Sequence, residues 1–321
     1  MIAHPVLDVI LERSRSGSAP GRRADQRRVV LAVEGGGSRG AFSSGMVLAL
    51  SELGLLHSFD AVYGSSAGAI SGGWLVSGGA AHGIPGWWRP GVMRRITNLP
   101  RGLRGKPVVD IEYTINTIYD SIVPMDWAAV LASPVPLHPL ATDVRTGESV
   151  DLHPFITDEA TLKLALRCSA CMPLLAGPPV ELAGRRFVDG GLAEPLAFRT
   201  ALRDGATDVL VLRTRRPDEA ISAPSRLENA LISRYLRRSA PGALLAWQGR
   251  PQQRQIDEEL LAGRAAATPG LPALLQVRPP VGTAPVSRLE TDPEALRRAV
   301  MIGRDALLAT FDSASPQLSG R

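Results

Sequence analysis

A chain of 321 residues can bury one large core or two modest ones, and 45% hydrophobic against 21% charged residues is globular composition, which excludes disorder. The formal charge of +5 is thin for this length; it is carried by scattered arginines with no aromatic-interleaved basic face, which speaks against nucleic acid as a partner. No uninterrupted apolar run of about 18 residues occurs, so no transmembrane helix is expected, and the N-terminus, with Asp8 inside its apolar run, does not read as a secretory signal.

In chain order, residues 1–12 read as a short amphipathic helix, and residues 13–28 (RSRSGSAPGRRADQRR) as a polar, Gly/Pro/Ser-bearing linker. The β-branched run Val29–Val33 predicts a buried parallel strand. A glycine turn follows, then a helix over Ala41–Leu53, a strand over Phe59–Tyr63 that Asp60 begins, a second glycine turn and a helix over Ala67–Val76. That grammar is βαβ, and it predicts an α/β fold with a mainly parallel central sheet flanked by helices. Residues 80–135 read as mostly helical, with Pro and Gly interruptions. Val135–Asp143 and Glu148–Leu152 suggest a hairpin, followed by a helix over Glu159–Arg167. Two strand pieces turn at Ala183-Gly184 and end at Val188, before Asp189-Gly190-Gly191; a helix near Leu196–Arg203 and a strand over Asp208–Leu212 follow. Beyond Arg213 the pattern predicts amphipathic helices, a strand at Leu274–Val277 and a C-terminal helix over Pro293–Phe311. The organisation expected is an N-terminal segment and linker (1–28), a catalytic core (29–213) and a mostly helical extension packed on it (214–321). Cys168 and Cys171 lack partners for a zinc site and follow a helical pattern, so they read as two buried thiols.

Three features carry chemistry. Gly64-Ser65-Ser66-Ala67-Gly68, between a strand and a helix, fits a nucleophile elbow, whose tight turn needs small neighbours and presents the Ser66 hydroxyl at the mouth of the sheet. The alternative is a Gly/Ser-rich connecting turn. Glu34 is followed by Gly35-Gly36-Gly37-Ser38-Arg39-Gly40, which satisfies a dinucleotide fingerprint by spacing. The acidic residue that fingerprint wants, Asp60, starts its strand instead of ending it. Consecutive glycines also expose backbone N–H groups that can hold an oxyanion. The third feature is the base. The histidines are His4, His57, His82, His138 and His153; none lies late in the chain, and His153 beside Pro154 reads as surface, so a serine–acid–histidine order is not supported. A carboxylate can act directly, and Asp189 before Gly190-Gly191 is the best placed, with a plain Asp-Gly turn as the competing reading.

EGGGSRG, GSSAG and DGG, in this order and separation, resemble the signature blocks of the patatin-like phospholipase family, and the run from Ser169-Ala170-Cys171-Met172-Pro173 to Asp189 is similar to that family's approach to its acid. The resemblance spans about residues 28–213. It implies a patatin-like three-layer sandwich and a Ser–Asp dyad that cleaves acyl esters of lipids. Ser66 would be nucleophile, Asp189 base, and the loop from Gly35 through Gly40 oxyanion hole, with Arg39 bracing the turn. It implies no cofactor and no metal. Where many members carry Asn-x-Pro after the acid, this sequence has Glu194-Pro195. The partners expected are a lipid or acyl-ester substrate and a transient contact with a membrane surface, from a cytoplasmic protein. A catalytically silent lipid-binding protein and a thioesterase using the same dyad are the alternatives. Trp87-Trp88-Arg89 reads either as an interfacial patch or as interhelix packing.

Overall fold

The computed structural model describes residues 4–219, 225–263 and 270–314. In chain order its main elements are α1 (Pro5–Ser16), β1 (Val29–Val33), α2 (Gly40–Glu52), β2 (Ala61–Ser65) and α3 (Ala67–Val76). There follow β3 (Leu137–Asp143), β4 (Ser149–Asp151), α4 (Glu159–Ser169), β5 (Val180–Leu182), β6 (Arg185–Asp189), α5 (Phe198–Arg203) and β7 (Asp208–Leu212). The last are α6 (Arg226–Ser239), α7 (Pro241–Gly263), β8 (Ala273–Val277) and α8 (Pro293–Ala314). Between α3 and β3 run short helical turns and a π-helix, Thr114–Ile122.

The strands form one sheet in the order β5-β6-β3-β2-β1-β7-β8, with β4 on β3. Neighbours from β3 through β8 pair in parallel, while β4 and β6 run antiparallel to β3, and β5 antiparallel to β6. The period of two explains why β1 is apolar throughout. Val29, Leu31 and Val33 join the core formed with α1, α2, α3 and α8, whereas Val30 and Ala32 join a second core with α5 and α7. Helices thus cover both faces, in three layers. From β1 the chain builds outward through β2 to β3, then returns to place β7 on the other side of β1. The carboxyl ends of β1, β2 and β7 therefore border a topological switch point, where such sheets open a crevice.

Several expectations shift in detail. β2 runs two residues further than predicted, so Gly64 and Ser65 are still strand, and Asp60 precedes it. Residues 13–28 are laced to the core rather than spanning as a linker. The Arg13 side chain is 1% exposed and donates to the carboxylates of Asp25 and Asp60 at 2.7 and 2.8 Å. Arg23 donates to the other Asp60 oxygen at 2.7 Å, Asp60 also accepts the Val29 N–H at 2.8 Å, and Arg27 pairs with Asp208. β8 pairs with β7, so the sheet continues past residue 213. Cys168 and Cys171 are free and buried, and burial pushes both thiols up to about 12. Among the described residues no helix is long and apolar enough to cross a membrane.

Candidate active site

Ser66 stands alone between β2 and α3, with φ 58° and ψ −127°. A residue with a Cβ rarely adopts a positive φ, so the turn is strained and the surroundings must hold it. They do. The Ser66 N–H donates to Ser169 Oγ at 2.9 Å, and that hydroxyl donates to the Leu140 carbonyl at 2.6 Å. The neighbouring Ser65 Oγ donates to the Glu194 carbonyl at 2.6 Å. Ser66 is 5% exposed.

Asp189 ends β6, opposite Ala141 of β3, and its carbonyl accepts the Thr142 hydroxyl at 2.8 Å. Its Oδ1 accepts the Gly191 N–H at 2.7 Å, while Oδ2 is buried without a hydrogen-bond partner among the described residues. Burial raises the carboxyl above the usual carboxylate range; the Ser66 hydroxyl and then the Gly191 N–H are the chief counterweights. Ser66 and Asp189 line one cavity. Glu194, standing in the Asn-x-Pro position, is fully buried; its carboxylate accepts the Thr200 N–H and hydroxyl, both at 2.7 Å, and its own N–H donates to the Gly190 carbonyl at 2.8 Å. It fixes the turn after Asp189 from within.

The glycine loop leaves β1 beside the elbow. A Cβ at Gly35 would lie 2.1 Å from the Ser65 carbonyl oxygen and 2.9 Å from Ser66 Cβ, so this approach is open to glycine alone. Gly36 and Gly37 have φ of 143° and 60°, and a Cβ at Gly37 would meet the Arg288 carbonyl at 2.5 Å. Two amides of the expected oxyanion loop are already committed: Ser38 N–H donates to the Arg288 carbonyl at 2.9 Å, and Gly40 N–H to the Gly37 carbonyl. The N–H groups of Gly36 and Gly37 have no acceptor among the described residues. Arg39 lies over Gly36 and reaches Glu219 at 3.9 Å; burial, then Arg215 and Arg288, lower it to about 10. Glu34 is buried against Arg213 and the Thr214 N–H, which holds it below the usual carboxylate range.

Ser66 lies where two cavities meet. One is a narrow apolar slot of about 80 Å³, walled by Trp74, Trp87, Met93 and, from the π-helix, Thr114, Ile118 and Tyr119. The other is a recess of about 380 Å³ holding Asp189, the glycine loop, Trp247, Arg250, Arg254 and Arg288. Trp87 is half-buried, its Nε1 donating to Ser44 Oγ at 2.9 Å, and both Trp87 and Trp88 pack on the main core. No histidine lines either cavity. His153, expected at the surface, is half-buried against the ring of His138 (4.4 Å between centroids), and burial lowers its pKa.

Sequence reading missed Ser169, Glu194 as a brace, and the recess arginines. Ser169 and Glu194 flank the approach to and exit from Asp189 with no motif to mark them. The four-residue spacing of Arg250 and Arg254 was the available signal for the arginines.

Comparison with known proteins adds a family. A model described as patatin-like phospholipase matches residues 31–202. The uncharacterized NTE family protein Rv1063c of Mycobacterium tuberculosis is 30% identical over 185 residues, covering 57% of this chain and 46% of that protein. The uncharacterized protein YjjU of Escherichia coli is 28% identical over 193 residues, covering 58% and 52%. The chain spans about half the length of these curated relatives. Among solved structures, human GIVD cytosolic phospholipase A2 is similar with a TM-score of 0.49 and 12% identity, over 98% of this chain and 62% of that one.

Proposed function

We propose that this chain, which belongs to the patatin-like phospholipase family, hydrolyses acyl esters of lipids, with Ser66 as nucleophile and Asp189 as its base. Ser66 Oγ attacks the ester carbonyl while its proton passes to Asp189 Oδ2. The carbonyl oxygen becomes an oxyanion between the Gly36 and Gly37 amides; losing one such donor costs about 3–4 kcal/mol of transition-state stabilisation. The tetrahedral intermediate collapses by breaking the bond to the leaving alcohol, which takes the proton back from Asp189. Water, deprotonated by the same carboxylate, then attacks the acyl-serine, and the fatty acid departs as Ser66 regains its proton.

The observation that carries this reading is that the buried carboxylate of Asp189, its Oδ2 without a hydrogen-bond partner among the described residues, lines the same recess as the strained serine. A carboxylate is ordinarily too weak a base for an alcohol, and a raised pKa brings it nearer the task. The apolar slot beside Ser66 supports an acyl chain as the portion bound there. Replacing Ser66 with Ala should abolish ester hydrolysis while thermal melting stays within a few degrees of the parent. Turnover retained by a folded Ser66→Ala protein would refute the assignment.

A further inference from the structure

We infer that the loop formed by residues 98–106 docks on the surface of a bilayer rich in anionic lipid. Leu99 and Leu103 enter its apolar edge, and Arg94, Arg95, Arg104 and Lys106 meet its negative charge. The inference goes beyond the reading of Ser66 and does not depend on it.

Leu103 is 93% exposed, more than any other large apolar side chain among the described residues, and Leu99 is 62% exposed. Both stand on one short helical turn, Leu99–Arg104, within a stretch that carries five cations and no acid from residue 91 to residue 109. One of the cations, Arg101, is turned inward. It donates to Asp110 at 3.1 Å and to the carbonyls of Arg95 and Val108 at 3.1 and 3.2 Å. The Asn98 N–H donates to the Val108 carbonyl at 2.8 Å, and a bridge between Thr97 and Val109 closes the base of the loop. The loop is thus held in shape by its own backbone and by Arg101, so presenting its leucines to a partner requires little further ordering. The other four cations, Arg94, Arg95, Arg104 and Lys106, are exposed and form no ion pair among the described residues. The next acids along the chain, Asp110 and Glu112, are engaged by Arg101 and Arg167. Exposed leucines flanked by unpaired cations match an anionic bilayer, which offers hydrocarbon behind a negative surface. A polyanion alone would leave the leucines in water. Ile96, Thr97 and Val109, at the foot of the loop, line the apolar slot beside Ser66, so docking here brings the wall of that slot to the lipid.

The test is co-sedimentation of the Ser66→Ala protein with vesicles of equal parts dioleoyl phosphatidylglycerol and dioleoyl phosphatidylcholine, and with vesicles of the phosphatidylcholine alone. Ser66→Ala reads docking without turnover, so the outcome is separate from whether Ser66 is the nucleophile. Binding to the mixed vesicles should exceed binding to the neutral ones by at least about tenfold, and should fall toward it in about 0.5 M salt. Leu99→Ser with Leu103→Ser should weaken binding to the mixed vesicles at least about tenfold, and Arg104→Gln with Lys106→Gln about twentyfold, thermal melting showing both double variants folded. No binding, equal binding to the two compositions, or binding unmoved in the two folded variants overturns the inference. Retention on immobilised polyglutamate that Arg104→Gln with Lys106→Gln abolishes, without binding to either vesicle, would make an acidic polypeptide the partner and overturn the lipid assignment.

Discussion

Replacing Asp189 with Asn should cut activity steeply and, at neutral pH, make the protein more stable. Asp189 is 7% exposed, Oδ1 keeps the Gly191 amide, and Oδ2 has no hydrogen-bond partner among the described residues. Asn retains the bond to Gly191 and leaves a neutral amide nitrogen where a buried charge stood. An unpaired neutral polar group costs about 1–3 kcal/mol and an unpaired ion several, so the exchange should gain about 1–3 kcal/mol, or about 2–6 °C in Tm. The sign follows from linkage. Because the folded-state pKa of Asp189 is raised, the native state binds more protons than the unfolded state between the ordinary Asp range and the raised value. Stability from this group is then fully present below the ordinary range and lost as pH rises through the folded pKa. Tm of Asp189→Asn minus parent, followed by calorimetry from about pH 4 to pH 8, should therefore start near zero and grow positive. Hydrolysis should fall by about a hundredfold to ten-thousandfold. A variant less stable than the parent at pH 8, or a difference flat with pH, would refute the claim that the acid is buried at its own expense.

Ser169→Ala removes the hydroxyl that joins the Ser66 N–H to the Leu140 carbonyl, orphaning two buried backbone groups. It should cost about 2–4 kcal/mol in urea unfolding and lower kcat with KM little changed, since the elbow and not the substrate cavity loosens. Gly303→Ala would set a methyl 1.9 Å from the Phe42 carbonyl, where α8 crosses α2, just as one at Gly45 would lie 1.8 Å from the Val300 carbonyl. Overpacking should outweigh the helix-propensity gain and lower the urea midpoint by a net cost of about 1–3 kcal/mol, with kcat affected far less than in Ser169→Ala.

The parts of this molecule that could be read from sequence are those whose cause is local. β1 announces itself because both of its faces are buried, and the elbow because a turn that tight admits only small residues around Ser66. What stayed hidden depends on partners distant in the chain. Arg13, Arg23 and Arg27 looked like linker charge because Asp60 and Asp208 are far away in sequence. Asp60 looked like a strand start for the same reason, although its carboxylate is the hub of that ion-pair cluster. His153 beside a proline suggested surface, but the hairpin folds it back onto His138. Arg234, Arg237 and Arg238, dense in sequence, are exposed on α6, whereas the sparse Arg250, Arg254 and Arg288 line one recess.

The central claim is that an alcohol is activated by a carboxylate with no imidazole between them. The most direct measurement is mass-spectrometric mapping of the adduct formed with a fluorophosphonate lipid analogue. The account predicts one adduct, on the peptide containing Ser66, formed rapidly by the parent and at least about a hundredfold more slowly by Asp189→Asn. An adduct on another residue, or equal labelling rates in the two proteins, would contradict it.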